Sequence, residues 1–302
     1  MAALTLPRLA HVLTASQFDR GATDALLDRA GQLDGVRDTA LAGKIMATLF
    51  YEPSTRTRLS FESAMVRRGG AVISAQDAGQ TSSAAKGETL EDTIRVVAGF
   101  ADVIVLRHPI EGAAERAAGV SPVPVINAGD GSGEHPTQAL LDLYTIKREL
   151  GGLDGKHIVL CGDLRFGRTA HSLVTLASLY GMRFSLVAAP GLEMPAERVA
   201  ALRDGGSKVV EVTKIEDAIH DCDVLYQTRV QTERIEGDHR ATGVTVDPAL
   251  MQRLPRHAVV MHPLPRVGEI TPDVDDDPRA AYFRQAANGV TLRAALLEAL
   301  LS

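Results

Sequence analysis

Seven apolar stretches of strand length, separated by segments with helical spacing, leave this chain few folds to choose from. They occupy 44–50, 102–107, 123–128, 157–162, 184–189, 223–228 and 258–263, and most run without polar alternation. A continuous run of Val, Ile and Leu reads as a strand covered on both faces, which is the environment of a parallel strand packed between helices. Helical spacing fills the gaps at 57–68, 88–97, 135–150, 168–179 and 196–202. Strand alternating with helix predicts an α/β fold with right-handed crossovers.

At 302 residues the chain exceeds one comfortable hydrophobic core, so two domains are expected. The rhythm breaks at Gly151-Gly-Leu-Asp-Gly-Lys156 and then starts afresh, which places the boundary there. The expectation is a domain over 1–150 and a second over 151–302, each a mostly parallel sheet flanked by helices, with the active site in the cleft between them. The closing segment, about 280–302, reads as an amphipathic helix carrying Leu292, Ala295, Leu296 and Leu300, free to pack on either half. A formal charge of −6 and the absence of Trp argue against a stacking surface for nucleic acid, and no nucleic-acid partner is expected. No segment approaches eighteen consecutive apolar residues, so neither membrane spanning nor export is expected. Cys161 and Cys222 lie in apolar runs without C-x-x-C spacing, which suits buried thiols in a reducing, cytoplasmic setting. No metal-ligand set is visible, and no cofactor is expected.

The most informative chemistry follows the first apolar run. Glu52-Pro-Ser-Thr-Arg-Thr-Arg58 leads from a buried strand into a helical pattern, where free backbone N–H groups and the positive end of the helix dipole suit an anion. Ser54, Thr55 and Thr57 add hydroxyls, and Arg56 adds a planar fork matched to phosphate oxygens. The bland alternative is a Ser or Thr cap with Arg56 and Arg58 in solvent. A second glycine-rich loop, 129–134, enters a helix near Pro136; His135 and Gln138 share its first turn. A neutral imidazole can donate to a carbonyl oxygen, and a side-chain amide can accept from an NH₂ group.

Arg107 ends the strand 102–107, where open α/β sheets hold ligands, though strands often end in a solvated arginine. His262-Pro-Leu-Pro-Arg266 is a stiff loop that can offer carbonyl groups, or it is a rigid turn. Arg168 and Arg229 stand near the ends of two strands of the second half and suit a dicarboxylate. One rival remains. Gly162-Asp-Leu-Arg-Phe-Gly-Arg-Thr169 has the spacing of a nucleotide-binding P-loop with Arg in place of Lys, a substitution that trades a compact point charge for a fork.

Taken in order, F-Y-E-P-S-T-R-T-R, S-S-A-A-K-G-E-T-L, L-R-H-P, N-A-G-D-G-S-G-E-H-P-T-Q, G-D-L-R-F-G-R-T, Y-Q-T-R-V-Q and M-H-P-L-P-R resemble the aspartate carbamoyltransferase family over residues 50–266. S-T-R-T-R and H-P-T-Q belong equally to ornithine carbamoyltransferases; T-R-V-Q and H-P-L-P mark the aspartate branch. The resemblance implies transfer of a carbamoyl group from carbamoyl phosphate to aspartate, an early step of pyrimidine biosynthesis. It implies Ser54, Thr55, Arg56, Thr57 and Arg107 as phosphate ligands, and His135 with Arg56 and Thr57 on the carbonyl oxygen. Gln138 and the carbonyls of Leu264 and Pro265 would take the NH₂ group. Arg168, Arg229, Gln231 and Lys86 match aspartate ligands, with Ser82 and Lys86 reaching a neighbouring subunit's site in a homotrimer. Glu52 would pair with Arg168 and Arg234 on domain closure. A further substrate loop is expected within 236–246, and regulatory or other pathway subunits are compatible with the family. Transfer to another amine, a P-loop nucleotide-binding protein and a non-catalytic homologue are the alternatives.

Overall fold

Apolar runs without alternation become strands only where both faces are covered, and the computed structural model shows how that cover is arranged. It describes residues 6–76, 87–229 and 244–302. Among these, every ladder joining two strands is parallel. The first sheet has the order β2-β1-β3-β4, from β1 (Ile45–Phe50), β2 (Ala71–Gln76), β3 (Val103–His108) and β4 (Val125–Asp130). Helices α1 (Arg20–Gln32), α2 (Thr55–Arg67), α3 (Leu90–Ala98) and α4 (Ala113–Val120) accompany it. On one face Ala47, Leu49, Ile94, Ile104 and Leu106 form a buried core, and β3 and β4 have almost no exposed apolar side chain.

The second sheet has the order β7-β6-β5-β8-β9, from β5 (His157–Cys161), β6 (Arg183–Val187), β7 (Val209–Val212), β8 (Val224–Gln227) and β9 (Val259–Met261). Its helices include α6 (Arg168–Ser178), α7 (Ala196–Asp204) and α8 (Pro248–Arg253). Val159, Ile219, Leu225, Val260 and Tyr282 anchor its core, and Cys161 and Cys222 lie there as free thiols. The expected α/β fold with two parallel sheets is what the chain adopts.

Two compact units result, Met1–Tyr144 with Ala287–Ser302, and Thr145–Ala286. The chain leaves the first unit within α5 (Pro136–Leu150), ahead of the glycine-rich 151–156 stretch, and returns within α9 (Tyr282–Leu301). The end of α9 packs in the first unit through buried Leu292, Leu296 and Leu297 and through ion pairs. Glu298 accepts from Arg29 at 2.8 Å and from Arg68 at 2.7 Å. Arg68 is only 1% exposed and also pairs with Asp38, and a guanidinium so enclosed needs carboxylates beside it. Among the described residues no helix is long and apolar enough to cross a membrane.

Candidate active site

The start of α2 is built without the usual cap. Ser54 occupies the N-cap position but makes no side-chain capping bond, and no acidic residue lies in the first turn. Instead Ser54 Oγ accepts from Arg107 Nη1 at 3.3 Å. Sheet register explains the meeting, because Phe50 pairs with Arg107 across β1 and β3, and the Tyr51 amide donates to the Arg107 carbonyl at 2.9 Å. Arg107 Nε lies 3.3 Å from Glu52 Oε2, and Nη1 also reaches the Ala128 carbonyl at 3.5 Å. Segments following or ending three strands thus hold one guanidinium over an uncapped helix start. The cap alternative for Ser54 is not realised.

Within that turn Thr57 is buried while Thr55 and Arg56 are open. Desolvation lowers the Arg56 pKa, but an arginine shifted this way is still a cation near neutral pH. Arg58 has a different task, donating to Glu62 at 3.2 Å and to Ser74 at 3.4 Å. It clamps α2 to β2 and takes no part in the cradle.

The second helix start is shaped by Asp130. Its carboxylate accepts from the amides of Gly112 at 2.9 Å and Glu134 at 3.1 Å and from Asn127 Nδ2 at 3.0 Å. The loop bends through Gly131 at φ 50, where a Cβ would stand 2.8 Å from the Glu111 amide, so no larger residue fits. This delivers His135, 3% exposed, to the entry of α5, where its carbonyl accepts from the amides of Gln138 and Ala139. His135 Nδ1 lies 3.5 Å from Thr137 Oγ1. Gln138 Nε2 donates to Asp142 Oδ1 at 2.9 Å. Asp142 was not anticipated, although a lone carboxylate in Ala-Leu-Leu-Asp-Leu, four residues after Gln138, was a visible signal.

In the second unit Arg168 opens α6, and Arg229 follows β8, the neighbour of β5. Their two loops are locked together at Gly162, φ 116, where a Cβ would meet the Thr228 carbonyl at 2.4 Å. Thr228 Oγ1 returns bonds to the carbonyls of Cys161 at 3.1 Å and Asp163 at 3.3 Å. The same loop does not form a P-loop. Its amides at Gly162, Leu164, Phe166 and Arg168 donate to Val187 O, Leu192 O, Asp163 Oδ1 and Phe166 O. Amides spent on protein acceptors are not offered to a phosphate.

The His262–Arg266 loop is held from within. His262 Nδ1 accepts from the Leu264 amide at 2.7 Å, so Nε2 carries the proton and donates to Glu269 Oε1 at 2.7 Å. Glu269 also takes the Val267 amide at 2.8 Å. Leu264 has φ 54 and a cis bond to Pro265. Arg266 pairs with Asp275, which Tyr282 also engages. Ser82, Lys86, Gln231, Arg234 and most of the 236–246 stretch lie outside the described residues. Among the described residues no group of three His, Cys, Asp or Glu side chains is arranged to hold a metal ion.

A parallel α/β scaffold with an uncapped, arginine-facing helix start in one unit, and in the other an arginine opening a helix and an arginine following a neighbouring strand, is the arrangement of a protein that binds small anions. Residues 10–148 match the family model for the aspartate/ornithine carbamoyltransferase carbamoyl-P binding domain, and residues 154–300 match that for the Asp/Orn binding domain. The chain belongs to the aspartate/ornithine carbamoyltransferase family. It is 51% identical to the aspartate carbamoyltransferase catalytic subunit of Methanoculleus marisnigri over 95% of this chain and 98% of that one. It is 50% identical to the chloroplastic aspartate carbamoyltransferase of Oryza sativa subsp. japonica, over 97% of this chain and 85% of the relative. Among solved structures it resembles aspartate transcarbamoylase from Trypanosoma cruzi in complex with carbamoyl phosphate and aspartate. That likeness has a TM-score of 0.92 at 40% identity, covering 99% of this chain and 100% of the other.

Proposed function

We propose that the chain is an aspartate carbamoyltransferase, converting carbamoyl phosphate and L-aspartate to N-carbamoyl-L-aspartate and phosphate in pyrimidine biosynthesis. The observation that carries this is the meeting of Arg107 and Ser54 at the uncapped start of α2 in a chain of this family. Ser54, Thr55, Arg56, Thr57 and Arg107 bind the phosphate, where N–H and guanidinium donors meet its oxygens. The neutral amine of aspartate attacks the carbonyl carbon, and the charge gathers on the carbonyl oxygen. Arg56, Thr57, Arg107 and His135 stabilise that oxyanion. The bond from carbon to the phosphate oxygen then breaks, and the departing phosphate takes the ammonium proton, so no protein nucleophile is needed. Gln138 and the carbonyls of Leu264 and Pro265 take the carbamoyl NH₂, while Arg168, Arg229, Gln231 and Lys86 hold the aspartate carboxylates.

The working unit is a homotrimer in which Ser82 and Lys86 serve a neighbour's site. Exposed Leu59 and Val66 on α2 and Ile73 on the edge strand β2 support an interface on the first unit. Cytoplasmic placement is supported by two buried free thiols. The test is phosphate release from carbamoyl phosphate with aspartate, with ornithine and with neither, on a sample sized by light scattering. Aspartate-dependent release from a trimer is expected; release with ornithine alone refutes the acceptor.

A further inference from the structure

A carboxylate with no access to solvent sits one helical turn beyond Gln138. Asp142 is fully buried on α5, and its Oδ1 accepts from Gln138 Nε2 at 2.9 Å. An anion persists in such a place only beside a cation. Arg293, from α9 and 3% exposed, is the buried cation on which the Asp142 charge acts. Burial draws the Arg293 guanidinium down to about 10, the Asp142 charge opposing the fall, so it stays charged at neutral pH.

The helix makes room for this arginine. A Cβ on Gly289, one turn earlier, would stand 2.4 Å from Arg293 Nη1, which accounts for a glycine that helix propensity disfavours. The guanidinium lies 4.9 Å from the centre of the Phe61 ring, and Nη1 donates to Ser60 Oγ at 2.6 Å. Ser60 in turn donates to the carbonyls of Arg56 at 2.7 Å and Thr57 at 2.9 Å. Arg293 therefore supports both helix starts, one through Ser60 and the other through the charge of Asp142.

We propose that Asp142, held as an anion by Arg293, makes the site select a carbamoyl group over other acyl groups on phosphate by fixing which end of the Gln138 amide meets the ligand. This rests on the function proposed above. A primary amide has a donor end and an acceptor end of nearly the same shape, so packing alone does not choose between them. A carboxylate can only accept. Nε2 is thereby committed to Asp142, and Oε1 is the end left for a ligand. The carbamoyl NH₂ donates to that oxygen, whereas the methyl of an acetyl group leaves it without a donor, and sites built around such a bond reject analogues lacking it. Asp142 is a positioning residue, with Arg293 keeping it ionised.

The test compares carbamoyl phosphate with acetyl phosphate as donors to aspartate, reading the ratio of kcat/KM. In D142N the new amide can show Gln138 either end, so Gln138 is free to turn over. The preference for carbamoyl phosphate should fall tenfold or more, with a raised KM for carbamoyl phosphate and an unmoved KM for aspartate. Asp142→Leu with Arg293→Met removes both buried charges for apolar groups, and keeps the test available if D142N is unstable. The same fall is expected there. A preference within twofold of the parent in either folded variant, whatever happens to Tm, leaves Asp142 a structural residue and overturns the proposal. If the unsubstituted chain shows no aspartate-dependent phosphate release, the functional reading itself fails, and the inference with it.

Discussion

Replacing Arg107 with leucine separates a ligand from a strand-end surface residue. The Arg107 side chain is 16% exposed, with Glu52 at 3.3 Å and Ser54 Oγ at 3.3 Å, so its fork is aimed before any substrate arrives. Two charge-assisted bonds to phosphate, each about 1.5–3 kcal/mol, make a loss of roughly 3 kcal/mol or more in transition-state binding. At about 1.4 kcal/mol per decade, kcat/KM for carbamoyl phosphate should fall at least a hundredfold. Stability should change far less. Glu52 loses this one ion pair, and with its side chain 24% exposed the cost is limited to about 1 kcal/mol. That corresponds to roughly 2–4 °C in Tm for a domain of this size. Arg107→Lys keeps the charge without the fork and should land between parent and R107L. The assay is phosphate release against carbamoyl phosphate concentration, with thermal unfolding on the same samples. R107L within tenfold of the parent would refute the assignment.

Three further outcomes follow from the geometry. His135→Ala should lower kcat on the order of a hundredfold with little change in Tm, read by steady-state kinetics; an unchanged kcat removes His135 from oxyanion stabilisation. Gly162→Ala places a Cβ 2.4 Å from the Thr228 carbonyl at a positive φ, so it should cost about 2 kcal/mol or more in urea unfolding and raise the KM for aspartate by moving Arg229. Burial pushes the Glu269 carboxyl up, but the His262 hydrogen bond and two backbone amides outweigh it and leave the pKa lowered; the Arg266 hydrogen bond lowers that of Asp275. Both carboxyls lie below their own unfolded values, so their contribution is present above those unfolded values and is lost as pH falls through the depressed folded ones. Urea unfolding from pH 7 to pH 3 should show a steeper acid loss in the parent than in Glu269→Gln; parallel curves would count against the pairing.

What could be read from the residues tracked burial. All seven anticipated runs became or overlapped strands, because β1, β3, β4, β5, β6, β8 and β9 are almost wholly buried and therefore mostly apolar. The edge strands β2 and β7 escaped, since Ala-Val-Ile-Ser-Ala-Gln and Val-Val-Glu-Val carry polar or exposed side chains, with Val210 55% exposed. Helix α4 escaped for another reason: an alanine-rich turn such as Ala-Ala-Glu-Arg-Ala-Ala needs no amphipathic stripe to pack. In the cradle the residue types were visible, but the partnership of Ser54 with Arg107 was not, because it depends on a parallel register between strands more than fifty residues apart. Asp142 and Arg293 are further from one another still in the sequence, and each alone looks like an ordinary charge on a helix.

Arg68 and Glu298, joined at 2.7 Å, stand 230 positions apart along the chain. At roughly 5–20 residues per second, a ribosome leaves Arg68 waiting some 10–50 seconds for that carboxylate. Over that interval its guanidinium has Asp38 alone. The segment Thr145–Ala286, by contrast, is continuous and contains its whole sheet. The domain whose first residues are translated earliest is thus the one whose assembly is completed last.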